Sequence, residues 1–218
     1  MVRVGTVALA ALVALAAALA SCGSSTAHST TVPPPPRHPP ACGPAHASTL
    51  AFSAQARVYA RRGVVYGCSV RGGRSFRLGT QTVVRHEHLA GAYAVAGRIV
   101  AYGSVAFGVD TGGTNILVER LSDGALLGSF SATSRNFAEG FSSVGSLVVT
   151  SDGAVAWIGK ATGIGATRPI IEVLEADPSV SAGKVLDSGS AIDFGSLRLD
   201  GSTLSWRHGG ATRRATLG

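Results

Sequence analysis

Arginine side chains are the groups whose number and spacing most clearly point to chemistry in this sequence. Seven arginines lie between residues 57 and 85 without an acidic residue among them, and four more lie in the last 21 residues. A guanidinium group forms paired hydrogen bonds with phosphate and carboxylate groups. One hypothesis is therefore an anion-binding face, for lipid headgroups, wall polymers or an acidic partner, made by Arg71, Arg74, Arg77, Arg207, Arg213 and Arg214. A solvated surface that keeps a weakly charged protein soluble is the favoured interpretation.

The segment Arg85-His86-Glu87-His88 contains two closely spaced histidines. On a strand, His86 and His88 would share one face and could form a pair of metal ligands, but the sequence identifies no third ligand. An exposed connection before the next strand is the favoured interpretation. We therefore predict no metal site.

Other polar residues do not match a catalytic or phosphate-binding motif. The Gly-rich stretch at residues 111–114 is followed by no helix, which a phosphate-binding loop requires, so we predict a loop between strands. Asp110, Glu119 and Asp193 could each act in catalysis, but their spacing selects none of them. We therefore assign no catalytic residue and no cofactor.

The N-terminal segment has the pattern of an export signal. Arg3 supplies a positive charge, and residues 7–20 form an uninterrupted run of Val, Ala and Leu. This run is shorter than the roughly 20 apolar residues that cross a bilayer, so it predicts a cleaved signal instead of a membrane-spanning helix.

The end of this segment, Leu19-Ala20-Ser21-Cys22, resembles the lipobox of bacterial lipoproteins. The resemblance implies that residues 1–21 are removed and that the Cys22 thiol carries a diacylglycerol. It also implies an exported protein that its acyl chains hold on the outer face of the cytoplasmic membrane. The alternative is an ordinary cleaved signal that leaves Cys22 as an odd thiol. Nucleic acid is not expected as a partner in this compartment, although the isoelectric point is near 10.0.

With Cys22 acylated, Cys42 and Cys68 are the two remaining cysteines of an exported chain. An oxidising compartment favours their pairing, so we predict a Cys42–Cys68 disulfide. Two free thiols are the alternative, and two cysteines without spaced histidines are too few for a metal site. The disulfide would join the end of the tether to the first folded unit.

Composition divides the mature chain into a tether and a folded domain. Residues 22–49 are rich in Ser, Thr and Pro, and their proline runs at 33–36 and 39–40 favour an extended polyproline form that builds no core. We predict a disordered tether over 22–49 and a folded domain over 50–218.

The folded domain has the composition of short strands joined by tight turns. The chain contains 29 Gly, and only 14% of its residues are charged. Apolar clusters are short and alternating, and Asp-Gly or Gly-Gly turns separate many of them, as at 123–124, 152–153, 200–201 and 209–210. No window has a helical period over three turns, although residues 51–59 could begin as one helical turn. The predicted fold class is all-β.

Related strand-and-turn units recur along the domain, at 57–79, 92–130, 146–186 and 195–218. Their aromatic residues stand about 36, 55 and 49 residues apart, and are Tyr66, Tyr102, Trp157 and Trp206. This spacing is near the 40 to 50 residues of a propeller blade. The pattern resembles the β-propeller repeat proteins of bacterial envelopes, which implies a small array of about four blades. A β-sandwich, or an open array of blades completed by a partner, is the alternative.

Two classes of function are consistent with these features. The first, which we favour, is a lipid-anchored extracytoplasmic module that binds or scaffolds another envelope component. The second is an exported hydrolase with its active site in a propeller cavity, because a fold does not determine a function. A binding module should present arginine-rich or apolar patches, whereas an enzyme should bring carboxylates or histidines together in a pocket.

Overall fold

A computed structural model describes residues 38–84, 86–109, 111–135, 140–163, 167–180 and 182–218. Strands are the regular structure of these residues, which contain no helix, so the all-β prediction is confirmed. The predicted signal peptide, Cys22 and the first proline run lie outside the described residues.

The strands form four antiparallel meanders, which we number along the chain. Meander 1 contains β1 (Ser48–Phe52), β2 (Ala56–Arg61), β3 (Val64–Ser69) and β4 (Ser75–Thr80). Meander 2 contains β5 (Glu87–Ala96), β6 (Ile99–Phe107), β7 (Thr111–Arg120) and β8 (Ala125–Ser131). Meander 3 contains β9 (Gly140–Val149), β10 (Val155–Gly163), β11 (Ile170–Ala176) and β12 (Lys184–Ser188). Meander 4 contains β13 (Arg198–Asp200), β14 (Thr203–His208) and β15 (Ala211–Thr216).

Hydrogen bonding groups these meanders into three sheets. Meanders 1 and 4 are separate sheets of four and three strands, whereas meanders 2 and 3 share one eight-stranded sheet. The shared sheet is joined where β7 and β9 run parallel, with Thr111 opposite Gly140 and Gly112 opposite Phe141. The sheets are open across the described residues, so a closed propeller of about four blades is not confirmed.

Each of the two central meanders is buried on both faces. On β6, Ile99 and Ala101 pack into a core with meander 3, whereas Val100 and Tyr102 pack into a core with meander 1. On β10, Trp157 faces meander 2, and the residues on either side of it face meander 4. Successive strand residues point to opposite faces, so one unbroken apolar run can supply two cores.

Three of the four predicted repeat aromatics occupy equivalent places. Tyr102, Trp157 and Trp206 each lie on the second strand of their meander, and each packs towards the preceding meander. Rings as large as these dominate the apolar area that a packed face buries. The aromatic side chain is therefore the common element of the three cores.

The assignment of Tyr66 to this repeat is wrong. Tyr66 lies on the third strand of meander 1, and the second strand carries Tyr59, which is 3% exposed. Tyr59 is paired with Tyr66 across the hairpin, with ring centroids 5.5 Å apart. Sequence spacing does not distinguish two tyrosines that a tight turn places opposite each other.

Two local predictions are also wrong. Residues 51–59 form no helical turn, because β1 pairs with β2 and its Leu50 and Ala51 pack on the core between meanders 1 and 2. Residues 111–114 are not a loop but the start of β7. A side chain at Gly112 would lie 2.7 Å from the Phe141 ring and 2.9 Å from the Phe107 ring, so glycine lets the two rings approach the strand.

The connection from β8 to meander 3 is held by contacts to its backbone. The Trp157 indole donates a hydrogen bond to the Ala132 carbonyl over 2.9 Å. The buried Glu172 carboxylate accepts hydrogen bonds from the amide and the hydroxyl of Ser134, at 2.8 and 2.7 Å. Gly159 lets this connection approach β10 closely, because a Cβ at residue 159 would lie 1.7 Å from the Ala132 carbonyl oxygen.

We expect Gly159→Ala to lower the free energy of unfolding by about 3 kcal/mol or more, because backbone atoms would have to separate to admit the methyl group. Gly113→Ala is the matched control, since that position of β7 has open space around it and should change stability by no more than about 0.5 kcal/mol. Urea unfolding followed by tryptophan fluorescence measures both. Equal midpoints for the two variants would contradict this account of the connection.

Candidate functional site

The disulfide predicted between Cys42 and Cys68 is present, with the two Cα atoms 6.0 Å apart. Both cysteines are buried, and Tyr59 lies in the same cluster. The bond fastens residue 42 to β3 and places the end of the tether on the outer face of meander 1. The folded body therefore includes Cys42, and the predicted domain boundary at residue 50 falls inside β1.

Arg57 also holds residues 42–49 in place, in addition to the disulfide. Its guanidinium is buried and donates hydrogen bonds to the carbonyls of Cys42, Pro44 and Ala47, at 3.4, 3.2 and 2.6 Å. Its Nε donates to the Thr49 hydroxyl over 2.8 Å. These contacts use a charged side chain to satisfy backbone carbonyls that are removed from water. We call residues 42–49, the disulfide and Arg57 the N-terminal clamp.

The six arginines predicted to bind anions are divided between the two ends of the array. Arg71, Arg74 and Arg77 are exposed on meander 1, and Arg207 and Arg214 are exposed on meander 4. Meanders 2 and 3 come between these two in the order of the buried cores, and no ring closure within the described residues brings the two groups together. Anion binding stays a prediction, with two separate surfaces instead of one.

Arg213 differs from the other five because it contacts a buried carboxylate. Its guanidinium lies 2.8 Å from Asp187 of β12, and the indole of Trp206 and the Nδ1 atom of His208 lie at the same distance from that carboxylate. Asp187 is 8% exposed. The four side chains, which we call the Asp187 cluster, join β12 to meander 4.

The surroundings of Asp187 favour its ionised form. Burial by itself would raise the pKa of this carboxyl, but the hydrogen bonds from Trp206 and His208 and the charges of His208 and Arg213 outweigh burial and hold the pKa below its usual value. The Ser188 amide also donates to this carboxylate, over 2.9 Å, and a carboxylate with four donors has little capacity left for a substrate. We interpret the Asp187 cluster as a structural joint.

One rim of the array, formed by hairpin turns, has three arginines beside two cavities. Arg71 and Arg98 line a cavity of about 280 Å³, and Arg98 and Arg120 line a neighbouring one of about 380 Å³. Arg120 is paired with Asp123 across 2.9 Å. The rim therefore presents arginines to solvent.

A larger cavity lies at the opposite ends of these strands. It has a volume of about 570 Å³ and is lined by residues that include Arg77, Glu87 and His88. His88 stacks on Phe107 with ring centroids 5.1 Å apart, and its Nδ1 atom is buried without a hydrogen-bond partner in the described residues. His86 lies outside the strand with a left-handed backbone, so the two histidines do not form the strand pair that a metal site would use.

The remaining sequence candidates do not converge. Burial raises the pKa of Glu119, and the hydrogen bond from Tyr102 offsets part of that rise. Burial also raises the pKa of Tyr102, and the Glu119 hydrogen bond and charge raise it further. Asp193 is exposed and accepts a hydrogen bond from the Gly195 amide, whereas Asp110 lies outside the described residues. Among the residues that are described, no three His, Cys, Asp or Glu side chains could hold a metal ion together.

Sequence reasoning did not identify Asp187 or the role of Arg57. One signal was available for the Asp187 cluster, because the two-residue turn at Gly209 and Gly210 places Trp206 opposite Arg213 and so separates Arg213 from Arg214. No comparable signal exists for Arg57, whose partners are mainly backbone carbonyls.

The comparisons with known proteins give no family. No protein-family model matches the chain, and no curated protein is significantly similar to it. Across the part of the chain that is described, no helix has the length and apolar character needed to cross a membrane.

We expect the double variant Cys42→Ala/Cys68→Ala to lose about 3 kcal/mol of unfolding free energy, because the disulfide closes a loop between residues 26 positions apart. Urea unfolding of the double variant and of the oxidised parent measures the difference. The reduced parent is the matched control and should unfold close to the double variant. An oxidised parent that unfolds at the same midpoint as its reduced form would contradict a stabilising clamp.

We expect Asp187→Asn to destabilise the protein by on the order of 2 kcal/mol, because three side-chain donors and the Ser188 amide lose a charged acceptor. Hydrogen exchange should increase first in β14 and β15. The folded pKa of Asp187 is lowered, so its stabilisation is present at neutral pH and is lost as the pH falls below about 4; the variant should lack this part of the acid sensitivity. Asp193→Asn is the control and should leave stability unchanged. Uniform exchange across all meanders in Asp187→Asn would argue against a local joint.

Proposed function

We propose that this protein is a lipid-anchored extracytoplasmic module of a bacterial envelope that binds or scaffolds another envelope component. The N-terminal clamp is the observation that carries the proposal. It fixes the end of a proline-rich tether to one face of the domain through a disulfide, a bond typical of exported proteins. With acyl groups on Cys22, the clamp would determine where the anchored tether meets the domain.

The positions of the charged groups support binding over catalysis. Buried Arg57, Glu172 and Asp187 each contact a neighbouring segment or meander, so their hydrogen-bonding capacity serves the fold. Most of the exposed arginines instead lie on the surfaces of meanders 1 and 4, and Arg120 lies on a rim of meander 2. Charges on open surfaces suit the recognition of a large, charged partner.

The arrangement of the meanders supports an open array of blade-like units. Each core joins one meander to the next, and the aromatic residue on the second strand of meanders 2, 3 and 4 points to the preceding unit. Repeat arrays of this kind need terminal units with a protected or polar outer face. The clamp covers the outer face of meander 1, which is consistent with a terminal unit.

An exported hydrolase is the alternative, and the cavity beside Glu87 and His88 is the observation that favours it. This cavity contains one carboxylate and one histidine, which is the smallest set for acid-base chemistry. Turnover of a sugar or phosphate ester by the mature protein, abolished in His88→Asn, would favour the hydrolase over the binding module.

We expect Cys22→Ser to release the protein from the membrane fraction of a bacterial host, because serine cannot form the thioether to the lipid. Mass spectrometry of the parent should show a mature chain that begins at Cys22 and carries acyl groups. The double variant Cys42→Ala/Cys68→Ala is the control and should stay membrane-bound. Retention of Cys22→Ser in the membrane fraction, or a mature chain inside the cell, would refute the anchor.

A further inference from the structure

The outer face of meander 4 is made of polar side chains. Alternation along β14 sends Leu204 and Trp206 into the core with meander 3, so Thr203, Ser205 and Arg207 point outwards. The strand register adds five further residues to this face, namely Arg198, Asp200, Thr212, Arg214 and Thr216. Seven of these eight side chains are exposed and Ser205 is half-buried. We call this surface the arginine face.

Three arginines surround Ser205 on the arginine face. Arg198 on β13 and Arg214 on β15 are both directly opposite Ser205, and Arg207 lies two residues further along β14. Neighbouring strands are about 4.8 Å apart, so the backbones that carry Arg198 and Arg214 are separated by about 10 Å. A row of anionic groups matches this spread of charge better than one small ion does.

Asp200 is the acidic residue of the arginine face, and Asp193 lies next to the arginines of this face. Asp193 lines a shallow cavity of about 330 Å³ together with Arg198, Ser205 and Arg207. Arg198 is also hydrogen-bonded to the carbonyls of Gly195 and Leu197, at 3.1 and 2.7 Å, which holds it against the sheet. Three arginines outnumber Asp200 and Asp193 together, so this surface has a net positive charge.

From this surface we propose that meander 4 binds a linear polymer that carries phosphate groups; the proposal rests on the proposed envelope function and names the partner. Guanidinium groups pair with phosphate oxygens, and the hydroxyls of Thr203, Ser205 and Thr212 supply further donors to a ligand rich in acceptors. The face has no aliphatic or aromatic side chain, which a surface that inserts into a bilayer would require.

The order of the meanders favours a polymer over the membrane as the source of phosphate. The tether meets the outer face of meander 1, whereas the arginine face is the outer face of meander 4, at the other end of the packing order. An anchor at one end leaves the other end free to reach a partner away from the lipid surface.

Binding of long-chain inorganic polyphosphate tests the proposal. The protein is the mature chain with Cys22→Ser, so the result does not depend on anchoring. We expect Arg198→Gln/Arg207→Gln/Arg214→Gln to weaken binding about 30-fold in low salt, and to reduce the log–log salt dependence by about 2. Fluorescence anisotropy of labelled polyphosphate at several salt concentrations measures both quantities.

The matched control is Arg61→Gln/Arg62→Gln/Arg168→Gln, which removes three exposed arginines that lie outside meander 4 and outside the six anion-binding candidates, and it should leave the affinity unchanged. Asp193→Asn should strengthen binding about 2-fold, and the corresponding triple Arg→Lys variant should keep most of the salt-dependent affinity. These two variants give a readout even if the triple glutamine variant unfolds.

Three outcomes would overturn the proposal. Equal loss of affinity in the control triple would place the binding elsewhere, and equal affinity for polyglutamate would show that phosphate is not recognised. Tighter binding to phosphatidylglycerol vesicles than to polyphosphate would assign the face to the membrane. Release of Cys22→Ser from the membrane fraction tests the lipid anchor in a separate experiment. A protein that does not bind polyphosphate can therefore be distinguished from a protein that is not anchored in the envelope.

Discussion

The coverage of sheet faces is the constraint on which this structure depends. A sheet has two faces, and an apolar face left in water costs roughly 25 cal/mol for each Å² exposed. Meanders 2 and 3 have apolar residues on both faces and are covered by a neighbour on each side. The two outermost faces have no further meander to cover them, so they need other solutions.

The two ends of the array solve this problem differently. At meander 1 the outer face carries Tyr59 and is covered by residues 42–47, which the disulfide and Arg57 hold in place. At meander 4 the outer face consists of arginine, aspartate and hydroxyl side chains, so it needs no cover. The buried charges follow the same logic, since Arg57 and Asp187 fasten the first and the last packing layers and are not free groups in a cavity.

The sequence predicted the features that depend on near neighbours. Alternation, Gly turns and cysteine parity identified an all-β chain, the two central meanders and the Cys42–Cys68 bond. The sequence did not predict β1 or the packing role of Tyr59. Both depend on contacts with other segments of the chain, and local strand propensity does not reveal such contacts. Arg57 was grouped with exposed arginines, and Arg213 with arginines that lack a partner, for the same reason, since sequence shows the charge of a side chain but seldom its partner.

Meanders that are consecutive in the chain are also neighbours in space. Consecutive meanders share each buried core, so the route from the tether end to the arginine face passes through three successive cores. The last of these is supported by the Asp187 cluster, which bonds β12 to Trp206 and His208 on β14 and to Arg213 on β15. Arg213 points inwards and Arg214 outwards from adjacent positions of one strand. The register of β15 therefore positions both Arg213, which holds meander 4 to Asp187, and Arg214, which is available to a partner. A one-residue shift of β15 would exchange the two side chains.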